Sequence, residues 1–118
     1  MHDKEYNKIL SKEISFVQDL VQRFNELAPL LQEHVSDNYE ILPHVFMGDV
    51  TRYVLSDGSQ RQELMRHLND AFVNGATVVR DLIAVSFVEN IESEEELACA
   101  LQDAQAEALR EEWRLQHQ

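Results

Sequence analysis

The stretch that says most about the fold runs from Ala76 to Asn90 and reads ATVVRDLIAVSFVEN. If this segment is helical, hydrophobic side chains occupy most of its circumference, which is typical of a helix surrounded by the rest of the protein. A buried β-strand is the alternative for a run so rich in β-branched residues. The segment is, however, longer than a typical strand and contains no turn signal. We therefore expect a central helix here.

Hydrophobic residues before this segment recur at spacings of three and four, the pattern of one helical face. They predict a long amphipathic helix from Asp3 to about Leu27. Proline is tolerated only near a helix start. Pro29 therefore either kinks this helix or lies in the first turn of a second, short helix that ends at about Val35.

Two more helices are predicted before the central one. Pro43 indicates the first turn of a third helix, which should end near Ser56. Ser59 followed by Gln62 is a capping-box signal for a fourth helix. We expect Gly75 to end that helix by adopting a left-handed conformation.

The last predicted helix is long, rich in alanine and without a helix breaker. Ser93 and Glu96 form a second capping box at its start. Its buried stripe is predicted to comprise Leu97, Leu101, Ala104, Ala108 and Leu115, with Leu109 and Trp113 beside it. The expected fold is all-α, a compact bundle of five or six helices.

The composition agrees with one folded helical domain covering residues 1–118. Hydrophobic residues make up 44% and charged residues 27% of the chain, which does not suggest disorder. Only 3 glycines and 2 prolines are present, whereas sheet folds with many tight turns need more of both. The longest nearly apolar run, Leu82 to Val88, is far below the roughly 18 residues of a membrane span. No signal peptide is recognisable, so a cytoplasmic location is expected.

The formal net charge of −12 bears on the choice of partner. Such a field repels nucleic acid and anionic lipid and attracts basic proteins. We therefore expect a basic protein partner, without direct nucleic-acid or membrane binding.

No organised catalytic, cofactor or metal site is recognisable, and we do not expect an enzyme. The five histidines lack the His-x-x-x-His spacing of a helical metal site. Glu63, His67 and Asp70 share one helical face, which we interpret as solvated. The single cysteine, Cys99, lies between two alanines and is interpreted as a small core residue.

Several polar residues interrupt the third and central helices: His44, Asp49, Arg80, Asp81, Glu89 and Asn90. We interpret them as a partly buried network that fixes how the two helices dock. An acid–base group of Asp49, His44 and Glu89 is conceivable, although the spacing does not support it.

The densest negative region runs from Glu89 to Glu112, with nine acidic residues and one arginine, Arg110. Six carboxylates are predicted to lie on exposed faces of the last helix and to bind the partner: Glu95, Glu96, Asp103, Glu107, Glu111 and Glu112.

All the lysines of the chain, Lys4, Lys8 and Lys12, form one stripe near the start of the first helix, where they oppose the helix dipole. A contact with the glutamate-rich last helix, within the molecule or across a dimer, is one explanation. A solvated basic face is the other.

Two stretches, LPHVFMGDV at residues 42–50 and LIAVSFVEN at residues 82–90, resemble those of a family of small uncharacterised bacterial helical proteins. The resemblance implies a bacterial origin and a role as an immunity protein of a toxin–immunity system, including contact-dependent growth inhibition. It carries over no catalytic motif. The leading hypothesis is thus an immunity protein that neutralises a cationic toxin, plausibly a nuclease. The alternatives are a structural or regulatory homodimer that pairs through its last helix, and an unrecognised helical enzyme.

Overall fold

The computed structural model describes residues 2–56, 58–101 and 105–118. Within these ranges the chain contains no β-strand, so the all-α prediction is confirmed. Seven α-helices lie in the same ranges, rather than five or six: α1 His2–Arg23, α2 Ala28–Asn38, α3 Pro43–Leu55, α4 Arg61–Asn74, α5 Thr77–Ser86, α6 Glu94–Leu101 and α7 Glu107–Gln116. Two 3-10 turns, Asn25–Leu27 and Val88–Asn90, complete the described structure. None of these helices combines the length and apolar character needed to cross a membrane.

The first helix ends earlier than predicted. Phe24 is buried and leaves the helical region, with φ −121° and ψ 88°, and a 3-10 turn follows it. Pro29 lies in the first turn of α2, so the second of the two alternatives is confirmed. The start of α3 at Pro43 and its end at Leu55, with Ser56 as the C-cap residue, are also as predicted.

The central position of α5 is confirmed, since it packs against α1, α3 and α4. Leu82, Ile83 and Phe87 are completely buried. One face of the helix is nevertheless open to solvent, because Val85 is 52% exposed. The α-helix also ends at Ser86, and the predicted last turn is a separate 3-10 turn.

The predicted cap at the start of α4 and the predicted left-handed glycine at its end are both wrong. The hydroxyl of Ser59 donates to Glu26 instead of capping α4, and Gln60 is the N-cap residue without a side-chain cap. Gly75 does end the helix, but with φ −78° and ψ 166° it is extended and not left-handed. Glycine is required there because a Cβ would lie 2.3 Å from the carbonyl oxygen of Ala71.

The first half of the predicted capping box at the start of α6 is confirmed. The hydroxyl oxygen of Ser93 accepts from the backbone N–H of Glu96 at 3.1 Å, which satisfies one donor that a helix start leaves without a partner. The Glu96 carboxylate accepts at 2.9 Å from the backbone N–H of Glu92, one residue before Ser93, and not from Ser93 itself.

The prediction of a single long last helix is wrong, because α6 and α7 are separate helices. Non-helical Gln105 and Ala106 precede α7, and Ala106 is 2% exposed. The side-chain oxygen of Asn69 in α4 accepts from the backbone N–H of Leu109 at 3.1 Å, so a distant residue stabilises the new helix start.

The break also changes which residues of the last segment are buried. Leu109 and Trp113 are 2% and 5% exposed, whereas Leu115 of the predicted stripe is 54% exposed. Ala104 lies outside the described residues. The indole N–H of Trp113 donates to the carbonyl oxygen of Ile91 at 2.7 Å. Thus Leu109 and Trp113, not Leu115, attach α7 to the core.

Candidate functional site

The predicted partner-binding carboxylates lie on two separate helices. Glu95 on α6 is exposed, and Glu96 is half-buried in the capping box. On α7, Glu107 and Glu111 are one turn apart and exposed, and Glu107 lies 3.5 Å from Arg110.

Glu112 and Asp103 are the two remaining carboxylates of the predicted set. Glu112 is half-buried and accepts from the side chain of Gln116 at 2.9 Å. Asp103 lies outside the described residues. The five described residues therefore lie on two helices, not on the exposed faces of one long last helix as predicted.

A hydrogen-bonded chain of three side chains joins α1, α3 and α5. The ring Nε2 of His44 lies 2.8 Å from a carboxylate oxygen of Glu13, and its Nδ1 is hydrogen-bonded to the hydroxyl of Ser86. An ionised carboxylate only accepts, so Nε2 of His44 donates the hydrogen bond to Glu13.

This chain resembles the nucleophile, base and orienting carboxylate of acyl-transfer enzymes, although here the serine is on Nδ1 and the carboxylate on Nε2. Ser86 is only 6% exposed, at the end of α5, and Glu13 is 8% exposed. Such burial leaves little access for an acyl substrate to the hydroxyl, while the bonds tie three helices together. We interpret the group as a structural brace between these helices.

The expected polar link between the third and central helices is therefore present and includes the predicted His44, but its partners Ser86 and Glu13 were not part of the predicted network. Asp49 is bonded to Arg52 and lies 3.8 Å from His34, and Glu89 is exposed in a 3-10 turn. Among the described residues, neither Asp49 nor Glu89 forms a hydrogen bond or an ion pair with His44. The sequence does contain a signal for Glu13, since it shares the helical face of the buried Val17 and Leu20.

A groove of about 560 Å³ runs between α2 and α3; we call it the α2/α3 groove. Three carboxylates line it, Glu33 and Asp37 from α2 and Asp49 from α3, together with Arg52, which is paired with Asp49, so Glu33 and Asp37 supply its excess negative charge. Its apolar lining includes Leu30 and Val45, and Val45 is 50% exposed. The groove therefore combines negative charge with accessible apolar surface.

Buried His34 fixes the shape of the α2/α3 groove. Its Nε2 accepts from the backbone N–H of Leu42 at 2.9 Å, which ties α2 to the start of α3. Its ring meets Phe46 edge-on, with 5.7 Å between ring centroids. Asn38 donates to the carbonyl oxygen of His34 at 2.9 Å. The next residue, Tyr39, is 92% exposed and has φ 65°, a left-handed conformation that is uncommon outside glycine.

The predicted solvated face on α4 is only partly solvated. Glu63 and Asp70 are exposed, but His67 is half-buried and meets the ring of Phe24 edge-on at 5.6 Å. Burial, followed by the charge of Arg23, lowers the pKa of His67.

The single cysteine, Cys99, is half-buried and not in the core as predicted. In the part of the chain that the structure describes, no group of three or more His, Cys, Asp or Glu residues is arranged to hold a metal.

Comparison with known proteins gives a family but no function. No curated protein and no solved structure matches the chain. The profile of one family, described as a domain of unknown function, DUF7674, matches residues 17–118. The predicted resemblance to immunity proteins stays a prediction. The match covers all but the first part of α1, so the chain belongs to the DUF7674 family.

Proposed function

We propose that this chain is an acidic binding protein that acts by covering a basic surface of a protein partner. Its role is that of a bacterial immunity protein in the cytoplasm, neutralising a cationic toxin such as a nuclease by direct contact. The observation that carries the proposal is the charge of residues 89–112, where nine acidic residues accompany one arginine. The proposal includes no catalytic step and no cofactor.

The exposure of these carboxylates supports the proposal. Glu95, Glu107 and Glu111 all reach solvent. A nuclease presents arginines and lysines to its own phosphate substrate, and carboxylates bind the same side chains through charge-assisted hydrogen bonds. Complementary charge also accelerates association and favours a cationic partner over neutral ones.

The experiment uses the toxin gene candidate directly beside the gene of this chain. Its product is expressed in bacteria with and without this chain, and survival is measured. Binding of the purified pair is then measured by calorimetry at low and physiological salt. We expect protection of the cells and weaker binding at higher salt, because screening limits the reach of the charges to about 8 Å.

A charge-reversed variant tests the surface. Changing Glu95, Asp103, Glu107 and Glu111 to lysine should abolish protection and leave the helical circular-dichroism spectrum unchanged. The matched control reverses four exposed carboxylates elsewhere: Asp19, Glu40, Glu63 and Asp70. If the folded first variant protects as well as the unchanged chain, the predicted surface is not the binding site. If the unchanged chain neither binds nor protects, the immunity role is wrong.

A further inference from the structure

The start of α1 is a surface that its own chain leaves uncovered. We call residues 4–12 the lysine arm. Every residue from Lys4 to Ile9 is exposed, including Tyr6 at 66% and Ile9 at 45%. The arm also lies outside the residues that match the family, which begin at position 17. Its exposure is therefore not explained by the packing of the family domain.

The lysine arm combines positive charge with apolar side chains on adjoining positions. Lys8 and Lys12 are one helical turn apart, and Ile9 lies between them in a shallow depression that Glu5 also lines. Cations near a helix N-terminus oppose the helix dipole, at a cost of about a few tenths of a kcal/mol each. An acidic partner surface with apolar patches would offset the unfavourable interaction of the lysines with the helix dipole. It would also cover the exposed apolar side chains of the arm.

The α2/α3 groove has the complementary chemistry. Glu33 and Asp37 are exposed and one turn apart on α2, at the same four-residue spacing as Lys8 and Lys12. Four residues of an α-helix span about 6 Å, so two helices lying side by side can pair both charges. Val45, which is 50% exposed, offers apolar surface in the same groove.

We propose that the lysine arm of one copy docks in the α2/α3 groove of a second copy, so that two chains form a reciprocal dimer. The occupant is a second copy because each chain carries both complementary surfaces. Its own arm lies exposed, outside its own groove. The mutual repulsion of two chains of charge −12 is screened beyond about 8 Å at physiological salt, whereas contact pairs in a groove are screened less. This surface is distinct from the carboxylates of α6 and α7, so the dimer goes beyond the proposed function.

The experiment is a charge exchange read by sedimentation equilibrium at physiological salt. The unchanged chain should have twice the monomer mass of 13.7 kDa. The arm variant, Lys8→Glu with Lys12→Glu, and the groove variant, Glu33→Lys with Asp37→Lys, should each be monomeric. Mixed in equal amounts, they should form a dimer, because each arm then meets a groove of opposite charge.

The matched control is Glu107→Lys with Glu111→Lys, which reverses two carboxylates one turn apart on α7. It should remain dimeric while losing the partner of the proposed function. Circular dichroism verifies the fold of each variant. The dimer proposal is overturned if the unchanged chain is monomeric at millimolar concentration. It is overturned equally if either folded variant still dimerises alone, if the mixture stays monomeric, or if the control loses the dimer. None of these results bears on toxin binding.

Discussion

Tyr53 of α3 donates its phenolic proton to Glu26, which lies 27 positions earlier in the turn between α1 and α2. Ser59 donates to the other oxygen of the same carboxylate. The hydrogen bonds from Ser59 and Tyr53 lower the pKa of Glu26 from 4.5. Burial, with Glu26 as the second cause, raises the pKa of Tyr53 to about 12. This contact joins the α1–α2 turn to the end of α3 and the start of α4.

Two opposite pH dependences of stability follow from this contact. The pKa of Glu26 is lower in the folded chain than in the unfolded chain. The contribution of this carboxylate to the stability of the fold is therefore fully present above pH 4.5 and is lost as the pH falls through the folded pKa. Tyr53 has a raised pKa, so its contribution is present below pH 10 and is lost as the pH rises to about 12.

The pH prediction is checked by urea unfolding across both ranges. Glu26→Gln should flatten the acid loss of stability, and Tyr53→Phe should flatten the alkaline loss. The control Glu111→Gln, at an exposed position, should leave both limbs unchanged. Acid limbs that coincide for Glu26→Gln and the unchanged chain would mean that the carboxylate is not held as described.

Changing Phe87 to alanine should lower the free energy of unfolding by about 3 to 5 kcal/mol, because its ring is completely buried. Val85→Ala is the matched control, since that side chain is 52% exposed and should cost less than about 1 kcal/mol. Urea unfolding measures both. A loss below about 1 kcal/mol for Phe87→Ala would contradict its place in the core.

The sequence predicts those parts of this fold that depend on neighbouring residues. Pro43 and the capping box of Ser93 begin helices where predicted, because proline geometry and capping bonds act within one turn. The start of α7 is bonded to Asn69, a residue 40 positions from Leu109, and no local pattern indicates that contact. The predicted carboxylates are identifiable by composition, but the non-helical residues 105–106 that precede α7 are not.

The brace of Ser86, His44 and Glu13 should contribute to stability as a coupled unit. Ser86→Ala and Glu13→Ala should each cost at least about 1 kcal/mol, because each removes one partner of a part-buried hydrogen bond. The double variant should cost less than the sum, since both bonds share one ring. Ser11→Ala, an exposed serine of α1, is the control. Strict additivity in urea unfolding would argue against coupling.

A serine-reactive fluorophosphonate distinguishes this brace from a catalytic group. We expect no modification of Ser86 in the folded chain, because the residue is 6% exposed. The measurement is intact mass after incubation with the reagent. Stoichiometric labelling that disappears in Ser86→Ala would show an activated nucleophile and contradict the structural interpretation.

Tyr39→Gly should increase the free energy of unfolding by about 0.5 to 1 kcal/mol. A left-handed backbone costs an L-residue about 1 to 2 kcal/mol, which glycine avoids, although part of the gain is offset by its freer unfolded chain. Little packing is lost because the side chain is 92% exposed. Val35→Ala, at an exposed position in the last turns of α2 before Tyr39, controls for loss of surface side chains. A destabilised Tyr39→Gly variant would assign the tyrosine ring a role in the fold.

Trp113 makes the fluorescence of this protein sensitive to the packing of α7. Trp113 is the only tryptophan in the sequence, and its bond to Ile91 exists only while α7 is docked. No described helix runs continuously from α6 into α7, so Trp113 lies on a helix separate from α6 and its contact with Ile91 reports how α7 is docked. Tryptophan fluorescence of this protein therefore reports the surroundings of one side chain on α7, and circular dichroism is the probe that follows all the helices.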